Sequence, residues 1–254
     1  MGNIIIGIKK QFAYRTEVIF ALFTSVLSIL VQIALWRYLY QEDNNMMLYM
    51  VGYVICTKII AEFYSNRIYY LLSDKIQSGD FVMDLLRPTN VLWLSYLRAL
   101  GEIIAQVVLR VIPLGLMFWP ILHRMITYRN FLCFLVALLF GHILFILIYA
   151  IIGFSSFVFV ESWSLRRLMD DTILFISGSL LPLALFPEWL RKIAYVLPFH
   201  YLYDFPLNLL LKNDWEISFV MEGLAGIGCW ILILFSMLVL IYKIAIRYCT
   251  VQGG

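Results

Sequence analysis

The stretch Phe131–Val160, FLCFLVALLFGHILFILIYAIIGFSSFVFV, decides the fold: it runs for 30 residues without one Asp, Glu, Lys or Arg. About 20 apolar residues in a helix span a bilayer's hydrocarbon core. Lipid offers no partner to backbone N–H and C=O groups, so such a run must close its own hydrogen bonds as a helix. Working outward, similar stretches lie at Val18–Tyr40, Met46–Ser65, Leu92–Leu122, Thr172–Phe186 and Phe219–Tyr242. The chain thus reads as an all-α integral membrane protein, one domain of about six transmembrane helices. The stretches Leu92–Leu122 and Phe131–Val160 are long enough to tilt or extend past the bilayer, and Thr172–Phe186 is short and ends at Pro187.

Composition agrees with this. Of 254 residues, 63% are hydrophobic and only 14% charged, too few charges to cover a soluble domain of that size. The net charge of +3 is scattered, with no basic run to track a phosphate backbone, so nucleic acid is not an expected partner. Cys56, Cys133, Cys229 and Cys249 lie far apart in or beside apolar stretches, which fits buried thiols and neither a disulfide framework nor a metal cluster. The first apolar run is too long for a signal-peptide core and lacks a small-residue cleavage site, so it is expected to remain as a span.

Lys and Arg placement sets the expected orientation. With the N-terminus in the cytoplasm, ten basic residues fall inside (among them Lys9, Lys10, Arg67, Lys75 and Lys243) and six outside. Both termini are therefore expected in the cytoplasm, with the chain multi-pass in the inner membrane. The opening residues 1–16 mix Ile4, Ile5, Ile6 and Ile8 with Lys9 and Lys10, which suits an interfacial helix on the inner leaflet; a disordered tail is the plainer alternative.

Two connections are long enough to carry structure. The first, residues 66–91, contains SDKIQSGDFVMDLLRP (Ser73–Pro88): Gly79 can end one helix, Asp80 can cap the next, and Pro88 stops it just beyond Arg87. That predicts a short amphipathic helix facing the cytoplasm. The second, residues 187–216, carries Trp189, Tyr195, Phe199, Tyr201, Tyr203 and Phe205, a composition that water does not favour. It is expected to dip into the outer leaflet as a re-entrant hydrophobic hairpin before the last span.

The sequence holds no catalytic signature. The closest approach to a phosphate-binding loop, Gly2–Lys9, has Ile8 where the lysine belongs. His123, His142 and His200 are too far apart for a zinc-protease motif, and no G-x-S-x-G elbow occurs. Ionisable residues inside spans cost roughly 2.5–3.5 kcal/mol each on insertion scales and invite a functional question. Here they are Lys58, Glu62, Arg98, Glu102 and Arg110. Lys58 with Glu62, and Arg98 with Glu102, have the four-residue spacing of self-neutralising pairs, which either brace the bundle or line a path. Arg110 has no acid three or four positions away, so it is expected to face protein or water, as a pathway residue or as a side chain held by backbone carbonyls or another span's carboxylate.

Two motifs resemble the permease subunits of type-2 ATP-binding-cassette exporters: Gln77–Asn90, similar to a "G-x-hydrophobic-x-x-L-L-R-P" signature, and Ser177–Leu190 continuing to Leu197-Pro198-Phe199, similar to the family's fifth span and following hairpin. The resemblance covers essentially the whole chain. It implies a permease without its own ATPase, paired with a second permease and with a cytoplasmic ATPase that holds ATP and Mg. It places ATPase coupling at Gly79, Asp80, Asp84, Leu85 and Arg87, with a second contact at Arg166 and Arg167. It places the external gate among Pro182, Pro187, Phe199 and Tyr201, and leaves Glu102 and Arg110 as pathway candidates. No aromatic ladder runs along one span, so the expected cargo is an amphipathic peptide, lipid or drug rather than a long sugar chain. The rival readings are an ATP-independent transporter or channel relaying ions through Glu62, Glu102 and Arg110, and a scaffold that only binds partners.

Overall fold

The computed structural model describes residues 4–8, 15–86, 90–159 and 161–251. Among them the chain is helical, with no strand. The helices are α1 (Arg15–Leu39), α2 (Asn44–Phe63), α3 (Arg67–Ser78), α4 (Asp80–Leu85), α5 (Val91–Gln106), α6 (Ile112–Leu122), α7 (Tyr128–Phe154), α8 (Ser162–Ile176), α9 (Glu188–Val196), α10 (Asp204–Leu211) and α11 (Ile217–Val251). A single π turn, Val107–Val111, joins α5 to α6.

Among the described residues, five helical stretches are long and apolar enough to cross a membrane: Thr16–Leu39, Asn44–Ser78, Val91–Leu122, Tyr128–Phe157 and Ile217–Ile246. The sixth expected span, Thr172–Phe186, is not a single helix. α8 stops at Ile176, Gly178 adopts a left-handed φ of 87°, and the chain continues as bends through Pro182 to a 3-10 turn at Leu183–Leu185. From the other end the hairpin descends to meet it. Tyr53, in the middle of α2, donates to the Gly178 carbonyl at 2.5 Å, and Tyr64 donates to the Leu202 carbonyl at 3.0 Å. α10 is buried along its length, so the apolar content of residues 204–211 is explained by packing inside the bundle, whereas Trp189, Ile193, Tyr195 and Val196 of α9 stay exposed.

α7 is the central post, packed by α3, α8, α10 and α11. Its sequence is apolar on every side, as a helix surrounded by protein and lipid requires. Leu144, Ile60, Ile68, Leu72 and Leu207 are fully buried around it. α1 stands at the edge against α2, with Phe20, Phe23, Leu27 and Val31 exposed.

The second span is longer than expected and is interrupted. α2 ends at Phe63, Tyr64 is extended, and α3 resumes at Arg67 without a glycine or proline at the break. In the third span, Pro113 cannot donate to the Leu109 carbonyl. The π turn lies just ahead of it, with the Ile112 N–H bonded to the Val107 carbonyl. Of the expected interfacial helix 1–16, residues 4–8 are helical, and residues 1–3 and 9–14 lie outside the described residues. Residues 4–8 cross α5 at backbone contact: a Cβ on Gly7 would sit 2.6 Å from the Arg98 carbonyl oxygen, and one on Gly101 would overlap the Ile4 carbonyl oxygen.

Candidate coupling surface and buried polar network

α4 follows the C-terminal end of α3, at the end of the bundle that also carries the Ser155–Phe157 turn. Gly79, at φ 79°, ends α3 and starts α4, a left-handed position that suits glycine. Asp80 does not cap α4 through its side chain, as the sequence suggested; it lies exposed in the first turn, where its charge complements the helix dipole. Two residues anchor the helix. Phe81, 1% exposed, packs edge-on against Phe154 and Phe157, with ring centroids 5.9 and 5.2 Å away. Asp84 is buried and pairs with Lys75 at 2.8 Å, and the same ammonium donates to Ser95 at 3.4 Å. Leu85 packs partly into the core. Val82, Met83 and Leu86 point away, 42%, 62% and 78% exposed. Arg87 and Pro88 lie outside the described residues.

Behind α4 a hydroxyl cluster joins α3 to α8. The Ser156 hydroxyl lies 2.9 Å from that of Ser73 and 2.7 Å from that of Ser162, and the Tyr69 and Ser162 hydroxyls are 3.0 Å apart. One turn on, Arg166 pairs with Asp170, which also accepts from Tyr149 of α7, and its guanidinium lies near the rings of Tyr69 and Tyr70. Of the expected second contact, Arg166 is thus engaged inside the bundle and Arg167 is exposed. A chain of polar contacts therefore runs from the α4 end to α7 and α8.

The span charges pair differently from their sequence spacing. Glu62 is bound by Arg110, at 3.2 Å, and by the Ser25 hydroxyl, at 2.6 Å. Glu102, 3% exposed, pairs with Arg67 at 3.0 Å. The local pairs Lys58–Glu62 and Arg98–Glu102 are therefore replaced by pairs between helices, because the α2–α3 break carries Arg67 toward α5 and Arg110 projects from the π turn toward α2. Glu102 and Arg110, both expected along a path, belong to separate pairs. Arg98 Nε and both ring nitrogens of the buried His142 have no hydrogen-bond partner among the described residues.

At the opposite end, Pro182 is buried, Pro187 exposed, and Phe199 and Tyr201 partly buried against the core. The residue that sequence reading missed there is Asp204, 3% exposed, which accepts from the Leu183 N–H at 3.1 Å and the Asn208 amide at 2.9 Å. A lone acid in the run YLYDFPL was the available signal. No group of three His, Cys, Asp or Glu among the described residues could hold a metal ion.

A family model described as ABC-2 family transporter protein matches residues 42–253, and the chain belongs to that family. No curated protein matches the chain. Family membership makes it a multi-pass membrane permease subunit of an ABC transporter, with the ATPase carried by a separate partner subunit.

Proposed function

We propose that this permease exports an amphipathic or hydrophobic cargo from the cytoplasm, and that α4 is the helix through which the partner ATPase, holding ATP and Mg, moves it. The observation that carries the reading is the division of α4 into two sides. Phe81 and Asp84 fasten it to the bundle while Val82, Met83 and Leu86 stay bare at its tip. Apolar side chains left uncovered on a firmly held six-residue helix suit a protein partner. Its attachments to α3, α5 and the Ser155–Phe157 turn give a push at α4 a path into the spans. The pairing of Glu62 and Glu102 with arginines fits bracing of the bundle better than an ion relay.

In this reading both termini and α4 face the cytoplasm across the inner membrane, Arg167 offers the ATPase a second contact, and Pro187, Phe199 and Tyr201 belong to the outer gate. A second permease covers the bare face of α1. The test is co-purification from native membranes of the unaltered protein and of the triple variant Val82→Asp, Met83→Asp, Leu86→Asp. A P-loop ATPase retained by the first and lost by the second supports the proposal; equal retention by both removes α4 from the interface.

A further inference from the structure

The hairpin and the first turns of α11 enclose a cleft of about 650 Å³, within the size range of small-molecule sites, at the end of the bundle remote from α4. One wall forms where α11 is bare and the hairpin leans on it. A Cβ at Gly223 would overlap the Phe205 ring and one at Gly226 the Tyr201 hydroxyl, so both aromatics lie directly on the helix backbone. Phe205 meets Tyr201 edge-on at 5.9 Å and Phe219 at 5.5 Å, giving the cleft a continuous aromatic wall.

Its charge is one-sided. Asp204, Asp214, Glu216 and Glu222 line it, against a single lysine, Lys212. Asp214, Glu216 and Glu222 stand in solvent, where acids need no explanation. Asp204 is different: it is buried and held by the Leu183 N–H, the Asn208 amide and the Tyr195 hydroxyl, with Lys212 the nearby positive charge but no basic group within ion-pair distance of it among the described residues. Four acids against one lysine, one of the acids buried without an ion-pair partner, around an aromatic-walled cleft are matched by a cation with a flat apolar body. The neighbouring Trp215 already shows this chemistry, with the Arg129 guanidinium 4.0 Å above its ring.

We infer that this cleft is a binding site for amphipathic organic cations, with Asp204 and Glu222 attracting the charge and Tyr201, Phe205 and Phe219 stacking on the body. As the class of cargo, the inference rests on the permease reading; as a binding site it stands without it. Lys212 faces the same space and disfavours divalent metal ions, which also find no cluster of three ligands there.

The test uses the full chain in nanodiscs of zwitterionic lipid, with no ATPase present, titrated with cationic rhodamine 6G and anionic fluorescein and read by fluorescence anisotropy against empty nanodiscs. The expected result is saturable binding of rhodamine 6G alone. Glu222→Gln, at an exposed position, should weaken it roughly fivefold, and Asp204→Asn by more. Ser218→Trp, which fills the cleft from an exposed position, should weaken it without removing a charge. Binding equal to that of empty discs, equal binding of fluorescein, or unchanged affinity in folded Glu222→Gln and Ser218→Trp would overturn the site. Dye binding by a chain that recruits no ATPase through α4 would leave the cleft standing and the coupling proposal fallen; recruitment without dye binding would do the reverse.

Discussion

Arg110 reaches from the π turn of the third span to Glu62 at the end of α2, 3.2 Å away, and Ser25 of α1 holds the same carboxylate at 2.6 Å. One acid thus ties three spans together. The side chains of the pair are only 19% and 17% exposed, so removing either partner strands the other in a poorly solvated place. Arg110→Leu or Glu62→Leu alone should destabilise the protein by about 3 kcal/mol. Arg110→Leu with Glu62→Leu should recover much of that loss. Melting temperatures in detergent across the four-member cycle check this, and additive losses would show that the two residues do not interact.

Phe81 and Met83 are two residues apart and should behave oppositely. Phe81→Ala empties the pocket between Phe154 and Phe157 and should cost about 3–5 kcal/mol. Met83→Ala removes an exposed side chain and should change the stability by no more than about 0.5 kcal/mol. If α4 couples to an ATPase, Met83→Ala should still weaken complex formation while Phe81→Ala weakens both.

Gly101→Ala should dislodge residues 4–8, because no Cβ fits beside the Ile4 carbonyl. Protease cleavage at residues 4–8, read by mass spectrometry, should be slow in the unaltered protein and faster in the alanine variant. Gly115→Ala in the same span meets open space and serves as the control with unchanged cleavage.

Ser162 is fully buried among the hydroxyls of Ser73, Ser156 and Tyr69. Ser162→Val should leave those groups short of a partner and cost about 1–3 kcal/mol. Protease cleavage near the Ser155–Ser162 connection, followed by mass spectrometry, should rise in this variant before global unfolding begins.

Much of the fold was legible because lipid makes a strong demand: long uncharged runs become helices, and five of the expected stretches do so. Gly79 was legible for a similar reason, since a glycine followed by Asp80 and an amphipathic hexamer leaves few other local conformations. The ion pairs were not. Four-residue spacing favours pairing along one helix, and only the break at Tyr64–Asn66 and the π turn carry Arg67 and Arg110 to carboxylates elsewhere. The break has no local signal, since it contains no glycine or proline at all; Pro113 marks an interruption of the third span without showing where Arg110 is carried. The expected span Thr172–Phe186 failed because apolar content does not distinguish a crossing helix from a half-helix that meets a descending hairpin. Gly178, Pro182 and Pro187 marked the place without revealing which way the chain turns.

The central claim, that α4 receives the ATPase, is tested most directly by site-specific cross-linking. Met83→Cys, in a background lacking the native cysteines, is treated in native membranes with a short bifunctional thiol reagent, and the adduct is identified by mass spectrometry. The account predicts an adduct with a P-loop ATPase that changes in yield when ATP is added, and none from a cysteine placed at Trp189, on the hairpin at the far end. An ATPase adduct from Trp189 but not from Met83 would contradict it.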